Sequence, residues 1–218
     1  MNVVFIFAHP DDESFGPSGT IMHHINAGDN VTVVSLCKGN RPGAEEVASS
    51  RSETFVKICE VIGANCIIQA QDDTLMTREE TQNNVNNIIE QVRPQIVYTH
   101  FNGDVHQDHR LVSECVMVAC RPKPGSTVQK LLMCEISAST EWAFDQFGKF
   151  SPNYFIDITP YAQTKSELLE MYSSEVYPFP DARSVDGTMV LANQRGKQCG
   201  VSYAEAFQLV FSLHRTTQ

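Results

Sequence analysis

The chain has 218 residues, of which 42% are hydrophobic and 19% are charged, and this is enough for one sizeable core and a single domain over 1–218. Its net charge of −10 disfavours nucleic acid or an anionic membrane as the main partner. No apolar stretch approaches the roughly 18 residues of a membrane span, and the amino-terminal apolar run is too short for a signal peptide. Seven scattered cysteines without a C-x-x-C pair favour a reduced, cytoplasmic protein.

Strand and helix signals alternate over the first two-thirds of the chain. The predicted strands are 2–8, 30–37, 66–70 and 95–99. The predicted helices are 18–27, 44–62, 77–92 and 106–120, with a loop over the "KGNRPG" segment. This alternation predicts an α/β fold with a parallel sheet and helices on both faces. Right-handed crossovers then place the ends of the strands on one common edge.

The alternation is weaker after Pro124. Strands are predicted at 130–136 and 154–158, and helices at 160–173 and 203–214. The segment 174–200 is rich in proline, glycine and arginine and is predicted to be a long surface segment. Long loops in compact domains are often functional.

Two polar segments follow predicted strands. "AHPDDE" (8–13) comes after the first strand, and "HFNGDVHQDHR" (100–110) comes after the fourth. In an open α/β sheet, ligands bind at the carboxyl ends of the strands. We therefore expect residues from these two segments to share one pocket although they are far apart in the sequence.

The residue types in these segments are those of a metal site. His9 and Asp12 are three residues apart, and His106 and His109 repeat that spacing. Two histidines and one carboxylate form a facial set that leaves positions open for water or substrate. For a hydrolase the natural metal is zinc, which lowers the pKa of a bound water to about 7, and iron(II) fits the same ligands.

The neighbouring residues are candidates for proton transfer. Asp11 lies beside Asp12 and is a candidate base for the attacking water. His106 is a candidate donor to a developing oxyanion or to a leaving amine. Asp108 is positioned in the sequence to keep that histidine protonated and oriented. The alternative interpretations are an Asx-rich turn at the first segment and a helix start with a favourable acid at the second.

The two motifs carry a family resemblance. "AHPDDE" with the later "H-x-D-H" resembles the LmbE/PIG-L superfamily of zinc-dependent N-deacetylases, and "SASTEW", "SPNYFIDI" and "YAEAF" resemble its bacterial glycan-biosynthesis branch. The resemblance implies a Rossmann-like, three-layer α/β sandwich with a mostly parallel sheet. It also implies hydrolysis of the N-acetyl group of an amino sugar.

The resemblance also implies roles for individual residues. The metal ligands of the family fall on His9, Asp12 and His109, and its general base falls on Asp11.

The remaining family roles fall on residues in and before the second motif. The oxyanion-stabilising histidine of the family falls on His106, with Asp108 as its partner, and its substrate-contacting arginine falls on Arg51 in "SSRSET". For Arg51, a plain salt bridge on a helix face is almost as well supported. Gln107 stands where many members have proline, which we expect to alter the stiffness of the loop more than its chemistry.

Other polar residues near the motifs have simpler interpretations. We expect Glu13 to bond loop amides, and His100 and Asp104 to shape the loop before the second motif. We expect Arg183 and Arg195 to be solvated charges, although binding of an anionic part of the substrate is an alternative.

The function predicted from the sequence is metal-dependent hydrolysis of an N-acetylated amino sugar or sugar conjugate, giving acetate and a free amine. Zn²⁺ is the expected cofactor, with Fe²⁺ or another divalent ion as the alternative. Two other hypotheses stay open: an N-deformylase or amidase on a non-sugar amide, and a non-catalytic protein that binds metal or glycan. The sequence names neither the sugar nor its carrier, and it leaves a homo-oligomer open.

Overall fold

The computed structural model describes residues 1–39 and 45–214, with the backbone only at 45–49. Seven strands form one sheet in the order β3-β2-β1-β4-β5-β7-β6. The strands are β1 Asn2–Phe7, β2 Asn30–Cys37, β3 Asn65–Gln71, β4 Ile96–His100, β5 Lys130–Cys134, β6 Tyr154–Asp157 and β7 Ala204–Ser212. The first five strands pair in parallel, and β7 runs antiparallel to β5 and β6. The predicted α/β fold with a mostly parallel sheet is confirmed.

Helices follow most of the strands. They are α1 Asp12–Phe15, α2 Ser18–Asn26, α3 Glu45–Ile62, α4 Arg78–Val92, α5 Gln107–Ala119, α6 Ala162–Met171 and α7 Val185–Cys199. Thr77 caps α4 as its sequence spacing predicts, since its side chain accepts a hydrogen bond from the Glu80 amide. The predicted "KGNRPG" loop and the predicted start of α3 at Ala44 lie largely outside the described residues. Within the described ranges, no helix is long and apolar enough to span a bilayer.

The core lies on both faces of the central strand. Val3, Phe5 and Phe7 of β1 pack into the cluster on one face, and Val4 and Ile6 pack into the cluster on the other. A strand that is buried on both sides has no polar face, and this explains why the sequence of β1 is a continuous apolar run. Truncating a buried phenylalanine costs about 3–5 kcal/mol, so this strand is a rigid support for the loop that follows it.

The structure corrects two predictions in the carboxyl-terminal part. The segment predicted as a helix at 203–214 contains strand β7, because hydrogen bonding to β5 on one side and β6 on the other overrides local propensity. The segment predicted as a surface loop at 174–200 contains helix α7. The buried positions of α7 are Thr188, Ala192 and Gly196, spaced four residues apart. Because these residues are small or polar, the helix has no apolar stripe in the sequence.

The strand order places the two motifs side by side. β1 lies between β2 and β4, and both neighbours are parallel to it. The chain moves from β1 to β2 on one side and later returns to β4 on the other, so a crevice opens at the carboxyl ends of β1 and β4. The first motif follows β1 and the second follows β4, and both therefore border this crevice.

Candidate metal centre

Two short helices present the motif side chains. β1 ends at Phe7, and α1 begins at Asp12 after a tight turn. β4 ends at His100, and α5 begins at Gln107 with His106 as its N-cap residue. Each helix begins at the carboxyl edge of the sheet, so the side chains in its first turn face the crevice.

The three residues predicted as metal ligands meet in one place. His9 Nδ1 lies 3.4 Å from Asp12 Oδ2, and His109 Nε2 lies 3.3 Å from Asp12 Oδ1. The two histidine nitrogens are 3.2 Å apart. All three side chains are buried. A tetrahedral zinc ion with bonds of 2.0–2.1 Å has ligand atoms about 3.3 Å apart. The contacts among the three side chains have this spacing, and the two histidines contact different oxygens of Asp12.

A buried carboxylate orients the ring of His109. Asp104 Oδ1 lies 3.3 Å from His109 Nδ1. The other oxygen of Asp104 accepts hydrogen bonds from the hydroxyls of Ser139 (2.9 Å) and Thr140 (2.7 Å). A carboxylate behind a histidine fixes the ring and leaves the opposite nitrogen free to bind a metal. The sequence interpretation treated Asp104 as a loop-shaping residue, and the structure adds this contact.

Two further carboxylates orient the ring of His9. Its Nε2 lies 3.2 Å from Asp73 Oδ1 and 3.2 Å from Asp108 Oδ2. Asp73 follows β3, and from the sequence such an acid at the end of a strand is expected only to solvate a turn. With Nε2 engaged by carboxylates, Nδ1 is the nitrogen of His9 that faces Asp12 and His109.

The carboxylates set a strong negative field around the two imidazoles. Burial alone would lower the pKa of His109, but the charges of Asp12 and Asp104 outweigh it and raise that pKa to about 9. Burial also opposes protonation of His9, but the electrostatic interaction with Cys37 and hydrogen bonds that the ring donates to nearby carboxylates hold its pKa well above the usual value. A region that stabilises positive charge on two histidines also favours a divalent cation between them. The donor set therefore fits a metal ion.

His100 lies directly behind the three candidate ligands. Its ring stacks on that of His109 with centroids 3.9 Å apart and planes within 4°. His100 Nε2 accepts the Ala8 amide at 2.9 Å and lies 3.4 Å from Asp12 Oδ2. Burial lowers the pKa of His100 to about 4, with the charge of His109 adding to the effect. His100 is thus a neutral wall of the site.

Three groupings of possible metal ligands lie at this edge of the sheet in the described part of the chain, each with its ligand atoms within 4.8 Å of one another. They are His9, His106 and His109; His9, Asp73, His106 and Asp108; and Asp12, His100 and His109. The predicted ligands His9, Asp12 and His109 are divided among these groupings, and none of the three contains them all.

Asp11 is a buried carboxylate with one engaged oxygen. Its Oδ2 accepts hydrogen bonds from Arg51 Nη2 at 3.1 Å and from Arg183 Nη2 at 2.8 Å. Its Oδ1 has no hydrogen-bond partner in the described part of the chain. The backbone of Asp11 has a φ of 123°, a conformation that is strained for any residue with a side chain. Its amide donates to Glu13 Oε2 at 3.0 Å, which confirms that Glu13 bonds a loop amide.

His106 differs from the expectation in its partner and in its charge. Its Nδ1 accepts a hydrogen bond from the Asp108 amide at 3.2 Å, so the proton of the neutral ring belongs on Nε2. Burial lowers the pKa of His106 to about 4, and the charges of His9 and His109 add to the effect. The carboxylate of Asp108 does not hold His106 protonated, because its Oδ2 accepts from the Thr74 amide at 2.8 Å and contacts His9.

Arg51 lies inside the protein. Its side chain is 2% exposed, and its guanidinium lies 3.1 Å from Asp11, 3.4 Å from Asp73 and 3.5 Å from Glu175. The salt-bridge alternative for Arg51 is therefore realised in the structure, within the site and not on a surface. Its predicted substrate contact stays a prediction.

The expectation that Arg183 and Arg195 are solvated charges is wrong. Arg183 packs over the ring of Phe15 at 4.0 Å while it binds Asp11. Arg195 binds both carboxylate oxygens of Glu135, through Nε and Nη2. Both arginines contact partners that are far away in the sequence, and no local sequence pattern indicates such contacts.

Comparison with known proteins identifies relatives of this chain. The family model described as "PIG-L: GlcNAc-PI de-N-acetylase" matches residues 4–120. A diacetylchitobiose deacetylase from Thermococcus kodakarensis is 26% identical and aligns with 95% of this chain and 82% of its own. A probable N-acetyl-alpha-D-glucosaminyl L-malate deacetylase 2 from Bacillus anthracis is 28% identical over 80% of this chain and 81% of its own.

A solved structure with the same fold is that of 4-carboxy-2-hydroxymuconate hydratase from Pseudomonas putida KT2440. It superposes with a TM-score of 0.76 and 21% identity, and the match covers 100% of this chain and 99% of the hydratase. At this level of identity the similarity concerns the fold alone.

Proposed function

The chain belongs to the PIG-L family, and on that premise we propose that it is a metal-dependent N-deacetylase. Its substrate is an N-acetylated amino sugar or sugar conjugate, and its products are acetate and a free amine. The observation that carries the proposal is the convergence of the His9, Asp12 and His109 side chains, in which each pair has ligand atoms 3.2–3.4 Å apart. Relatives that are named as deacetylases of N-acetylated sugars support it.

We assign the metal to His9 Nδ1, Asp12 and His109 Nε2. Zinc bound there supplies a Lewis acid for the amide carbonyl and makes water a nucleophile near neutral pH. Iron(II) suits the same ligands. Asp104 behind His109, and Asp73 and Asp108 behind His9, keep the two rings aimed at the ion.

Asp11 acts as the general base. Its Oδ1 accepts a proton from the attacking water, because the two arginines engage only Oδ2. The water oxygen forms a bond to the acetyl carbon, and the carbonyl oxygen gains negative charge. A positioned base of this kind contributes a factor of about 10² to 10⁴ in rate.

His106 acts as a hydrogen-bond donor to the developing oxyanion. With Nδ1 occupied by the Asp108 amide, the neutral ring presents an Nε2–H group. A neutral imidazole with a pKa near 4 is a poor proton source at pH 7. The proton that Asp11 has taken therefore goes to the sugar nitrogen as the C–N bond breaks, and acetate and the amine leave.

The test is acetate release from a panel of N-acetyl amino sugars and their nucleotide, lipid and glycoside conjugates. We expect acetate from at least one sugar, loss of release with a chelator, and recovery with added zinc. Asp11→Asn keeps the shape of the side chain and is expected to lower kcat by 10²-fold or more. Asp29→Asn is the matched control, because that carboxylate pairs with the amino terminus and His24 outside the site. An Asp11→Asn rate within about tenfold of wild type would remove Asp11 as the base.

The same panel separates the alternatives. N-formyl sugars and simple non-sugar amides are included, and faster turnover of these would favour a deformylase or an amidase. Bound metal with no release from any amide would favour a binding protein. Because one structurally similar chain is a hydratase, an unsaturated tricarboxylate is included as a substrate for water addition.

A further inference from the structure

Arg183 reaches the site from a distant part of the chain. It lies on the segment between α6 and α7, outside the residues 4–120 that match the family model, and 172 residues after Asp11. On the basis of the proposed function, we propose that Arg183 positions the carboxylate of Asp11, the general base. The carboxyl-terminal part of the chain then completes the active site.

The guanidinium of Arg183 is held by several independent contacts. Its face lies 4.0 Å above the ring of Phe15, and its Nε donates to the Glu175 carbonyl at 3.2 Å. Its Nη2 lies 3.5 Å from Glu175 Oε2 and donates to Asp11 Oδ2 at 2.8 Å. Since the ring and the carbonyl fix the plane and the long axis of the group, Nη2 has one direction in which to donate.

Arg51 and Arg183 act on the same oxygen of Asp11 from two sides. Arg51 belongs to α3 and is 2% exposed, whereas Arg183 is 21% exposed. Both also contact the carboxylate of Glu175. Because both donate to Oδ2, the carboxylate cannot rotate without losing two charge-assisted hydrogen bonds, and Oδ1 keeps its direction.

The strained backbone of Asp11 explains why its carboxylate needs two hydrogen-bond donors, Arg51 and Arg183. A non-glycine residue with a φ of 123° persists only where its surroundings over-determine it. The Asp11 amide is held by Glu13 at 3.0 Å, and the Asp11 carboxylate is held by the two arginines. Loss of one arginine leaves the carboxylate with a single arginine donor, so the carboxylate can move. A displacement of about 1 Å in a reacting group can lower the rate 10²-fold.

The kinetic test compares Arg183→Gln, Arg183→Lys and Arg183→Ala with wild type on the best substrate of the panel. For Arg183→Gln we expect kcat to fall 10- to 100-fold while KM changes less than threefold, because the substrate still binds but the base is misplaced. Arg183→Lys keeps the charge without the planar group, and its kcat is expected to fall less than that of Arg183→Gln. Guanidinium ion at millimolar concentration is expected to restore part of the Arg183→Ala rate, because the binding position above the ring of Phe15 remains.

Arg195→Gln is the matched control. Arg195 is a half-buried arginine of the same carboxyl-terminal part, and its partner is Glu135 and not Asp11. We expect its kcat within threefold of wild type. Two results would overturn the inference. One is an equal loss of kcat in Arg183→Gln and Arg195→Gln, with no rescue of Arg183→Ala by guanidinium. The other is an effect of Arg183→Gln on KM alone.

A thermal double-mutant cycle tests the contact without activity. Asp11→Asn and Arg183→Gln together are expected to shift Tm by clearly less than the sum of the single shifts, whereas Asp11→Asn and Arg195→Gln are expected to add. An additive Asp11–Arg183 cycle overturns the inference whatever the activity. If the Asp11–Arg183 cycle is coupled but the wild-type protein releases no acetate, the result supports the positioning of Asp11 and overturns only the proposed function.

Discussion

The two parts of the sheet contribute differently to the candidate site. The first 120 residues form four adjacent parallel strands in the order β3-β2-β1-β4 and supply every candidate metal ligand. The remainder adds β5 and the antiparallel pair of β6 and β7, and it supplies none of them. The second part therefore contributes to the site by holding residues of the first motif in place and not by binding the metal itself.

Several side chains of the later part hold the loop after β1. Lys165 Nζ donates to the carbonyls of Ser14 and Gly16. Glu205 accepts the amides of Gly19 and Thr20 at 2.9 and 2.7 Å. The Tyr172 hydroxyl donates to Glu13 at 2.9 Å, and Arg183 donates to Asp11. Two amino acids of the first motif and the segment just after it are thus fixed by elements that lie some 150 residues later.

The largest expected effect comes from removing a ligand in the first part. His109→Ala deletes the imidazole that contacts both His9 and Asp12, so we expect bound metal and acetate release to fall to background. Metal analysis of the purified variant and the acetate assay measure this. Retention of one tightly bound ion per chain in His109→Ala would show that another grouping of residues holds it.

A smaller effect is expected from the carboxylate behind that ligand. Asp104→Asn keeps a hydrogen-bond acceptor near His109 Nδ1 but removes the charge. Loss of such a partner typically costs 10- to 100-fold in metal affinity. Competition with a chelator of known affinity measures the change. An affinity equal to that of wild type would mean that the ring of His109 is oriented by packing on His100 alone.

The strongest test of the later part concerns stability. Lys165 is buried and pairs with Glu205 at 2.9 Å. Lys165→Met removes the donor of two carbonyls and leaves a buried carboxylate without its cation, which costs about 3–5 kcal/mol of unfolding free energy. Urea denaturation measures it, with the exposed Lys197→Met as the matched control. A loss below about 1 kcal/mol would mean that the amides of Gly19 and Thr20 suffice to hold Glu205.

The sequence predicted the first part better than the second for physical reasons. The parallel strands around β1 are buried on both sides, so their apolar runs are continuous and easy to recognise. Helix α7 packs through Thr188, Ala192 and Gly196, and β7 is set by its two neighbours, so neither has a clear periodic signal.

The candidate site was predicted to a similar degree. His9, Asp12 and His109 sit in two compact motifs at the ends of adjacent strands, and their convergence follows from topology. Asp73 and Arg183 were missed because their contacts depend on loops that meet only in three dimensions. The orientation of Asp108 toward His9, and not toward His106, depends on the Thr74 amide, which no local pattern indicates.

The smallest expected effect lies within the first part, at His24, away from the candidate ligands. His24 contacts Asp29 at 2.7 Å and the Tyr98 hydroxyl at 2.9 Å, and burial lowers its pKa below the usual 6.5. The unfolded state therefore binds the proton more readily, and the stability contributed by neutral His24 is lost as pH falls below about 6.5. We expect the free energy of unfolding to fall more in wild type than in His24→Gln between pH 7.5 and 5.5.

Denaturant unfolding at the two pH values measures the effect, and the exposed His23→Gln is the control. An identical loss in wild type and His24→Gln would mean that the pKa of His24 is the same in the folded and unfolded protein, and a smaller loss in wild type would mean that folding raises it.

Anomalous diffraction from crystals grown with zinc locates the metal and its ligands. We expect one peak per chain, within about 2.2 Å of His9 Nδ1, an oxygen of Asp12 and His109 Nε2, with an open side toward the crevice. A peak bound instead by His9 Nε2, Asp73 and Asp108, or a crystal with no peak at this edge of the sheet, would contradict this expectation.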